Sequence, residues 1–472
     1  MKKLNALSEV IAHLSIVALV AIATLAMGYF MFFNWLARQE YLQLLRYMPA
    51  MLSFFGFVYA ILRTVPVLEN FWGLTRSRIN TQHPWCVYIA IGLWLIFINS
   101  IIFAFGYQIG PGVSFNGIVE NYYGRYTNDT PHYIEIAQRW YENSNDCHRF
   151  HIVFFPLYPI LIRLVAFISP GYIFAAWFIS NVFAFASGVL FYKLAGLVTD
   201  ESEARLAVKY LFIFPSAFFF FVPLTESLFL FLSVAVIYYT LKEKYVHVFI
   251  FGLLVSLTRS AGLLLFVPVA CEVIRQVILA YRKMELAAAK DSAQPTPISI
   301  PRWLIGHHKF KLLALSSFFI GLVIYLLINL AVYGNATQFI IFQREHWSQN
   351  LYFFWNTITT LNTNLTAFHS GWALSVGIPG IIAFWLTLGL IIYGARKLRV
   401  SFTLYIMAYF IFSFGVTWLM SGPRYASVLF PLALTTAKLS GKHKWLNIMI
   451  TIAYLVMFVL YFDLFIQDRW IF

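Results

Sequence analysis

The residues able to do chemistry in this chain are few, and they fall in short polar breaks between apolar runs. The first break is NDTPHYIEIAQRW, residues 128–140, which brings the acid Asp129 and the imidazole of His132 to the start of a short helix. A carboxylate and a histidine so close can take a proton from a hydroxyl or orient it. Each also has an ordinary use. Thr130 suits an N-cap and Pro131 the first helical turn, where its missing N–H costs nothing, and an acid just ahead complements the helix dipole. Tyr133, Ala137, Trp140 and Tyr141 share one face, His132, Glu135, Gln138 and Arg139 another. That pattern predicts an amphipathic helix on the membrane surface.

Three further ionisable residues stand near turn signals at the ends of apolar segments: Glu226 in PLTESLF, Arg259 in LTRSAG and Arg424 in SGPRY. Arginine's planar fork matches phosphate oxygens, and the small neighbours leave room for an anion to approach. The alternative is snorkelling, a long side chain reaching the headgroups. Glu226 can cap the helix it opens or point into a cavity, and an ionisable group at that depth is costly unless paired.

A metal is not expected. His132, His148 and His151 with Asp146 include the pair HRFH at 148–151, but no DxD triplet in that region offers a divalent cation a diphosphate site. Cys86, Cys147 and Cys271 stand far apart, with neither disulfide-framework nor zinc spacing. The GxGxxG and Walker nucleotide fingerprints and the zinc motif HExxH are absent, as is any alternation of strands and helices. An activated substrate would therefore arrive in the membrane.

The elements that must hold these residues are membrane helices. Of 472 residues 61% are hydrophobic and only 11% charged, with mean hydropathy +0.75, whereas soluble domains carry about 25% charged residues. Many apolar runs approach the length of about 20 residues that spans a bilayer, so the chain reads as an all-α polytopic membrane protein of about 11–13 transmembrane helices. The net charge of +14 fits cytoplasmic loops facing anionic lipid rather than nucleic acid. Lys2 and Lys3 put the N-terminus inside, and the N-terminal apolar run reads as a retained signal anchor.

Expected units are 1–84, N-terminal helices (about 10–34 and 47–66); 85–275, a catalytic module with an outer loop at 108–150; 276–311, a cytoplasmic linker rich in Lys, Arg and Pro; and 312–472, a C-terminal bundle. Charge parity requires 206–222 and 225–241 to form an outward hairpin. It also puts SLTRSAG, 256–262, at the outer end of two short helices, and makes FFPLYPILIR, 154–163, dip into the outer leaflet, since proline-broken backbone needs protein or water beside it. Asp129, His132, Glu226, Arg259 and Arg424 then share one face of the membrane.

Asp129-x-x-His132-Tyr133-x-x-Ile136-Ala137 followed by FFPLYPILIR resembles the GPI mannosyltransferase II (PIG-V) family and its bacterial relatives, of the GT-C glycosyltransferase type. The family pattern is WDxxHYxxIAxxGY and then FFPLYPxLxR. LTESLFLFLS, LTRSAGLLLFVP and PRYASVLFPL follow in matching order, so the resemblance covers about 128–435. Asn128 replaces the usual Trp, and Trp140 the usual Gly. The resemblance implies transfer of a hexose, mannose in the family, from a polyprenyl-phosphate donor to a glycan or lipid acceptor outside the cytoplasm, in a bacterial inner membrane. Asp129 would be the catalytic base, its pKa raised by partial desolvation, with His132 as its partner. Arg259 and Arg424 would meet the carrier phosphate, and Tyr133, Tyr158, Arg163 and Glu226 would line the lipid-sugar site. The rival readings are a lipid-linked glycan polymerase or ligase, using the late loop 335–372, and a flippase or transporter. No cofactor is implied.

Overall fold

A computed structural model describes residues 84–109, 129–143, 150–290, 300–367 and 370–466, together with Ser53, Gly56, Ala60, Gly117, Val119 and Tyr123. The first helix expected before residue 84 and all of the second but Ser53, Gly56 and Ala60, together with His148 and Asp146, lie outside the described residues. Within them helices joined by turns and loops make up the chain, and the β-structure is one isolated antiparallel bridge between Leu351 and Val416.

In chain order the helices are α1 (Pro84–Ile109), α2 (Thr130–Arg139), α3 (Leu157–Ala166), α4 (Tyr172–Ala195), α5 (Glu201–Phe212), α6 (Glu226–Leu241), α7 (Tyr245–Ser256) and α8 (Phe266–Lys290). They continue as α9 (Ile300–Tyr333), α10 (Gln338–Trp347), α11 (Phe354–Ala367), α12 (Ile378–Gly394), α13 (Val400–Ser413), α14 (Gly422–Ser427), α15 (Phe430–Ser440) and α16 (Lys444–Ile466). Among the described residues six segments are long and apolar enough to cross a membrane: Pro84–Ile102, Tyr172–Ala195, Ser260–Met284, His308–Tyr333, Ala373–Gly394 and Lys444–Phe465. The protein is an all-α, polytopic integral membrane protein.

Short apolar helices lie among the long ones, and they matter most for function. α6 has 16 residues, α7 has 12 and α13 has 14. At 1.5 Å per residue these reach about 18–24 Å, less than the roughly 30 Å hydrocarbon core, so their ends fall short of one surface. α6 buries residues on every side, as a helix that is apolar all round must. Between α5 and α6 the chain makes a 3-10 turn at Ala217–Phe220 and enters α6 at Glu226, and the two helices pack chiefly on other partners, α5 on α15 and α6 on α4. LTRSAG likewise joins α7 to a 3-10 turn, Ser260–Leu265, that leads into α8. Gly262 is required there, because a Cβ would collide with the carbonyl oxygen of Val255.

Three expectations change. The described parts of the linker, 276–290 and 300–311, are helix: α8 continues to Lys290, and α9 begins at Ile300 with a kink at His308. The loop 335–372 contains α10 and α11. The segments before and after the linker also interlock, α7 packing along α9 and α5 along α15. Lys242 and Lys244 lie at the ends of α6 and α7 opposite Glu226 and Arg259, and Lys442 and Lys444 lie past the end of α15 that is opposite Arg424; Lys442 Nζ stands over the ring of Tyr393, close in sequence to Arg396 and Lys397.

Candidate active site at the hairpin tips

Four segments that end near one another bring four ionised groups together. The first residue of α6 is Glu226, the turn after α7 supplies Arg259, α14 supplies Arg424, and the N-cap of α2 supplies Asp129. Glu226 Oε1 accepts hydrogen bonds from Arg259 Nη1 and from Arg424 Nε, the latter at 2.5 Å. Arg424 Nη1 donates to Asp129 Oδ2 at 2.7 Å. The two guanidinium groups also face aromatic rings, Phe229 and Tyr425 for Arg259 and Phe219 for Arg424. Two cations thus balance two carboxylates in a largely dry setting. Glu226 is fully buried and the Arg424 side chain nearly so, an arrangement that persists only when charges are paired and hydrogen-bonded.

Backbone links set the tips against each other. Leu157 N–H donates to the Leu257 carbonyl at 3.0 Å, Ser216 Oγ to the Pro423 carbonyl at 2.5 Å, and Thr130 Oγ1 to the Pro223 carbonyl at 3.2 Å. The last bond decides between two uses of Asp129. Asp129 rather than Thr130 occupies the N-cap position, and its side chain makes no cap hydrogen bond. The carboxylate goes to Arg424. Nor does α2 float on the membrane surface: Thr130, Tyr133, Ile136 and Ala137 are buried, with α3 and α4 against it.

Asp129 and the two arginines open on a cavity of about 560 Å³. Asp129, His132, Tyr133, Arg259 and Arg424 line it, as do Phe154 and Phe155 of FFPLYP. His132 stacks on Phe154, centroids 4.9 Å apart. Burial pushes its imidazole below the ordinary value, outweighing the pull of Asp129 and Glu135, so His132 is neutral at pH 7. For Asp129 burial acts upward, but the charge and hydrogen bond of Arg424, aided by His132 and Arg259, hold the carboxyl below the usual carboxylate range. The expected raised pKa is therefore corrected. The paired arginine decides the sign.

Three of the other expected site residues do not touch the cavity. Tyr158 is fully buried and donates to the Ala176 carbonyl at 3.0 Å, with Ser180 Oγ at 2.8 Å, so it cannot stack on a ligand. Arg163 is exposed near the end of α3, away from the cavity. Glu226 lies behind the arginines and holds them. His151 meets Glu135 Oε2 at 3.4 Å, and among the described residues no His, Cys, Asp and Glu cluster could hold a metal.

A second wall was not foreseen as part of the site. Gln343, His346, Trp347, Ser348 and Gln349, at the end of α10, line the cavity with Trp418, Met420 and Ser421. QREHW, 343–347, belongs to the late loop of the polymerase reading, but its position against the turn His151–Val153 and Phe154 comes from long-range packing. A short ladder clips the wall together: Tyr352 N–H donates to the Gly415 carbonyl at 2.8 Å and Thr417 N–H to the Asn350 carbonyl at 3.1 Å. Compared with models of protein families, with curated proteins and with solved structures, the chain matches none.

Proposed function

We propose that this protein is a membrane glycosyltransferase of GT-C type that moves a hexose from a polyprenyl-phosphate carrier to a hydroxyl acceptor. The observation that carries the reading is the cavity in which one carboxylate, one neutral imidazole and two arginines meet at the tips of helices too short to span a bilayer. A donor anchored in the lipid could present its phosphate there without leaving the membrane. The basic loops at the far end of the bundle favour an extracytoplasmic cavity, by the positive-inside rule. A bacterial inner membrane remains part of the proposal through the resemblance.

The chemistry follows from charge. An acceptor oxygen attacks the anomeric carbon, the carbon–oxygen bond to phosphate breaks, and the carrier leaves as a polyprenyl phosphate with one more negative charge. Arg259 uses only Nη1 within the protein, so among the described residues its remaining N–H donors are uncommitted. They suit the growing phosphate charge, in a water-poor site where such donors act most strongly. Glu226 fixes the fork. Asp129, held ionised by Arg424, accepts the acceptor's hydroxyl hydrogen bond and orients it. His132, neutral and on the same lining, is the second group able to take the proton.

The test is hexose transfer in membranes from a polyprenyl-phosphate sugar, comparing wild type with Asp129→Asn and His132→Gln. Loss in the first and partial loss in the second are expected. Unchanged turnover with Asp129→Asn rejects its role. Transfer only from a diphosphate-linked glycan would instead favour a polymerase or ligase, a reading that the 343–349 wall keeps in contention.

A further inference from the structure

We infer that the wall made by Gln343, Gln349, Trp347 and Trp418 is a subsite for a pyranose ring. The inference deepens the glycosyl-transfer reading and rests on it only for which sugar, the donor's or the acceptor's, arrives there.

Its basis is a relay of side-chain amides. Gln349 Nε2 donates to the Trp418 carbonyl at 3.2 Å, and a carbonyl can only accept. That contact fixes the orientation of the Gln349 amide, whose Oε1 accepts from Gln343 Nε2 at 2.6 Å. The Gln343 amide is fixed in turn. Its Oε1 has no partner among the described residues, and Gln343 lines the cavity. A ligand hydroxyl is the natural donor to such an oxygen.

The relay is rigidly mounted. Ser348 adopts a left-handed conformation, φ 52°, that ends α10 and lets Gln349 N–H return to the Gln343 carbonyl at 3.1 Å. Thr417 Oγ1 donates to the Ser348 carbonyl at 2.7 Å and accepts from Asn350 N–H at 3.0 Å. Trp347 is braced edge-on by Phe150 and Phe154, centroids 6.0 and 6.1 Å away, and Trp418 leans on Trp372 at 6.0 Å. Gln343, Trp347, Ser348, Gln349 and Trp418 carry no formal charge, unlike the arginine wall. A pre-oriented amide acceptor beside indole surface suits a ligand with hydroxyls on its edge and C–H groups on its face. A pyranose is such a ligand.

The experiment uses the full chain in lipid nanodiscs and saturation-transfer difference NMR, with methyl α-mannopyranoside and methyl β-glucopyranoside as probes. Wild type is expected to transfer saturation to at least one. Gln343→Met, which keeps size and removes the amide, should weaken binding about fivefold, the value of one hydrogen bond. Trp347→Ala should do the same or more, and Arg163→Ala, remote from the cavity, should change nothing. No signal in wild type, or equal signals in wild type and both wall variants, overturns the subsite. Competition between polyprenyl-phosphate hexose and bare polyprenyl phosphate then identifies the sugar. If Gln343→Met removes the preference for the glycosylated carrier, the ring belongs to the donor. If the preference survives while the hexoside signal falls, it belongs to the acceptor. Failure of both carriers to bind would sink the carrier reading and leave the hexoside arm to decide the subsite.

Discussion

Among the described residues two carboxylates, Glu226 and Glu272, are each fully buried with two arginines, and the Glu226 set borders the large cavity. Glu272, in α8, receives Arg399 through both oxygens, Nε at 3.0 Å and Nη2 at 2.8 Å, with Arg275 Nε at 3.1 Å and Ser401 Oγ at 2.6 Å. Glu226 receives both of its arginines on one oxygen, and among the described residues Oε2 has no partner. The Glu272 set joins α8 to the start of α13. The Glu226 set lies toward the other end of α13, beside Tyr409, and its arginines border about 560 Å³ of open space. The same ionic chemistry therefore serves two ends. Where the carboxylate's hydrogen-bonding capacity is filled the cluster is a fastener, and where donors are left over at a cavity it is poised for a ligand.

Removing one carboxylate at a time breaks the comparison most strongly. Glu272→Gln should cost about 3–5 kcal/mol of unfolding free energy, the range for orphaning buried charged partners, while turnover per folded molecule stays near wild type. Glu226→Gln should cost a similar amount and lose transfer as well. Unfolding in detergent beside a transfer assay separates the two. Lost turnover in fully folded Glu272→Gln would show that the closed cluster is no mere fastener.

Next comes geometry at constant charge. Arg424 serves Glu226 through Nε and Asp129 through Nη1, a division of labour that lysine's single ammonium does not reproduce. Arg424→Lys should slow transfer about 100-fold, the lower end for losing a pre-organised donor at developing charge. Arg399→Lys should leave turnover unchanged and lower the melting temperature. A smaller effect distinguishes the clusters by pH. His132 holds its proton less tightly folded than unfolded, so between the two pKa values the unfolded chain binds more protons. Its contribution to stability is complete above the ordinary 6.5 and is lost as pH falls toward the folded value. Turnover should therefore persist below pH 6.5 before its acid limb begins, and His132→Gln should remove that limb. For Asp129 the contribution is present above the ordinary 3.8 and fades as pH falls through its depressed folded value. No histidine contacts Glu272 among the described residues, so that cluster should add no such limb.

Much of this organisation was readable because bilayer physics constrains sequence tightly. Apolar length gave the helices, Lys and Arg gave the basic end, and costly ions in apolar segments marked Glu226, Arg259 and Arg424. Pairing was not readable. Glu226 and Arg424 lie 198 positions apart, and nothing local to either announces the other. For the same reason the sign of the Asp129 shift was missed: desolvation can be guessed from neighbours in sequence, a guanidinium brought by a distant turn cannot. Tyr158 misled because an aromatic between prolines looks the same whether it faces a groove or Ser180. The Gln343–Gln349 wall left only a polar stretch, QREHW, as its signal.

The smallest predicted effect tests how the open cluster is held. In the closed one, Glu272, Arg275 and Ser401 sit within regular helix, whose backbone bonds fix them. In the open one the groups stand on segment ends joined by single links, such as Thr130 Oγ1 to the Pro223 carbonyl, three residues before Glu226. Thr130→Val keeps the shape and deletes the donor, leaving a buried carbonyl short of a partner. The loss of stability should be about 1 kcal/mol, the usual net value of a hydrogen bond. Transfer should fall further than that figure alone implies, because Asp129 precedes Thr130 and moves with it, and reacting groups tolerate little displacement. If Thr130→Val lowered stability by that amount with turnover intact, the link would be packing only. Asp129 would then owe its position to Arg424 alone.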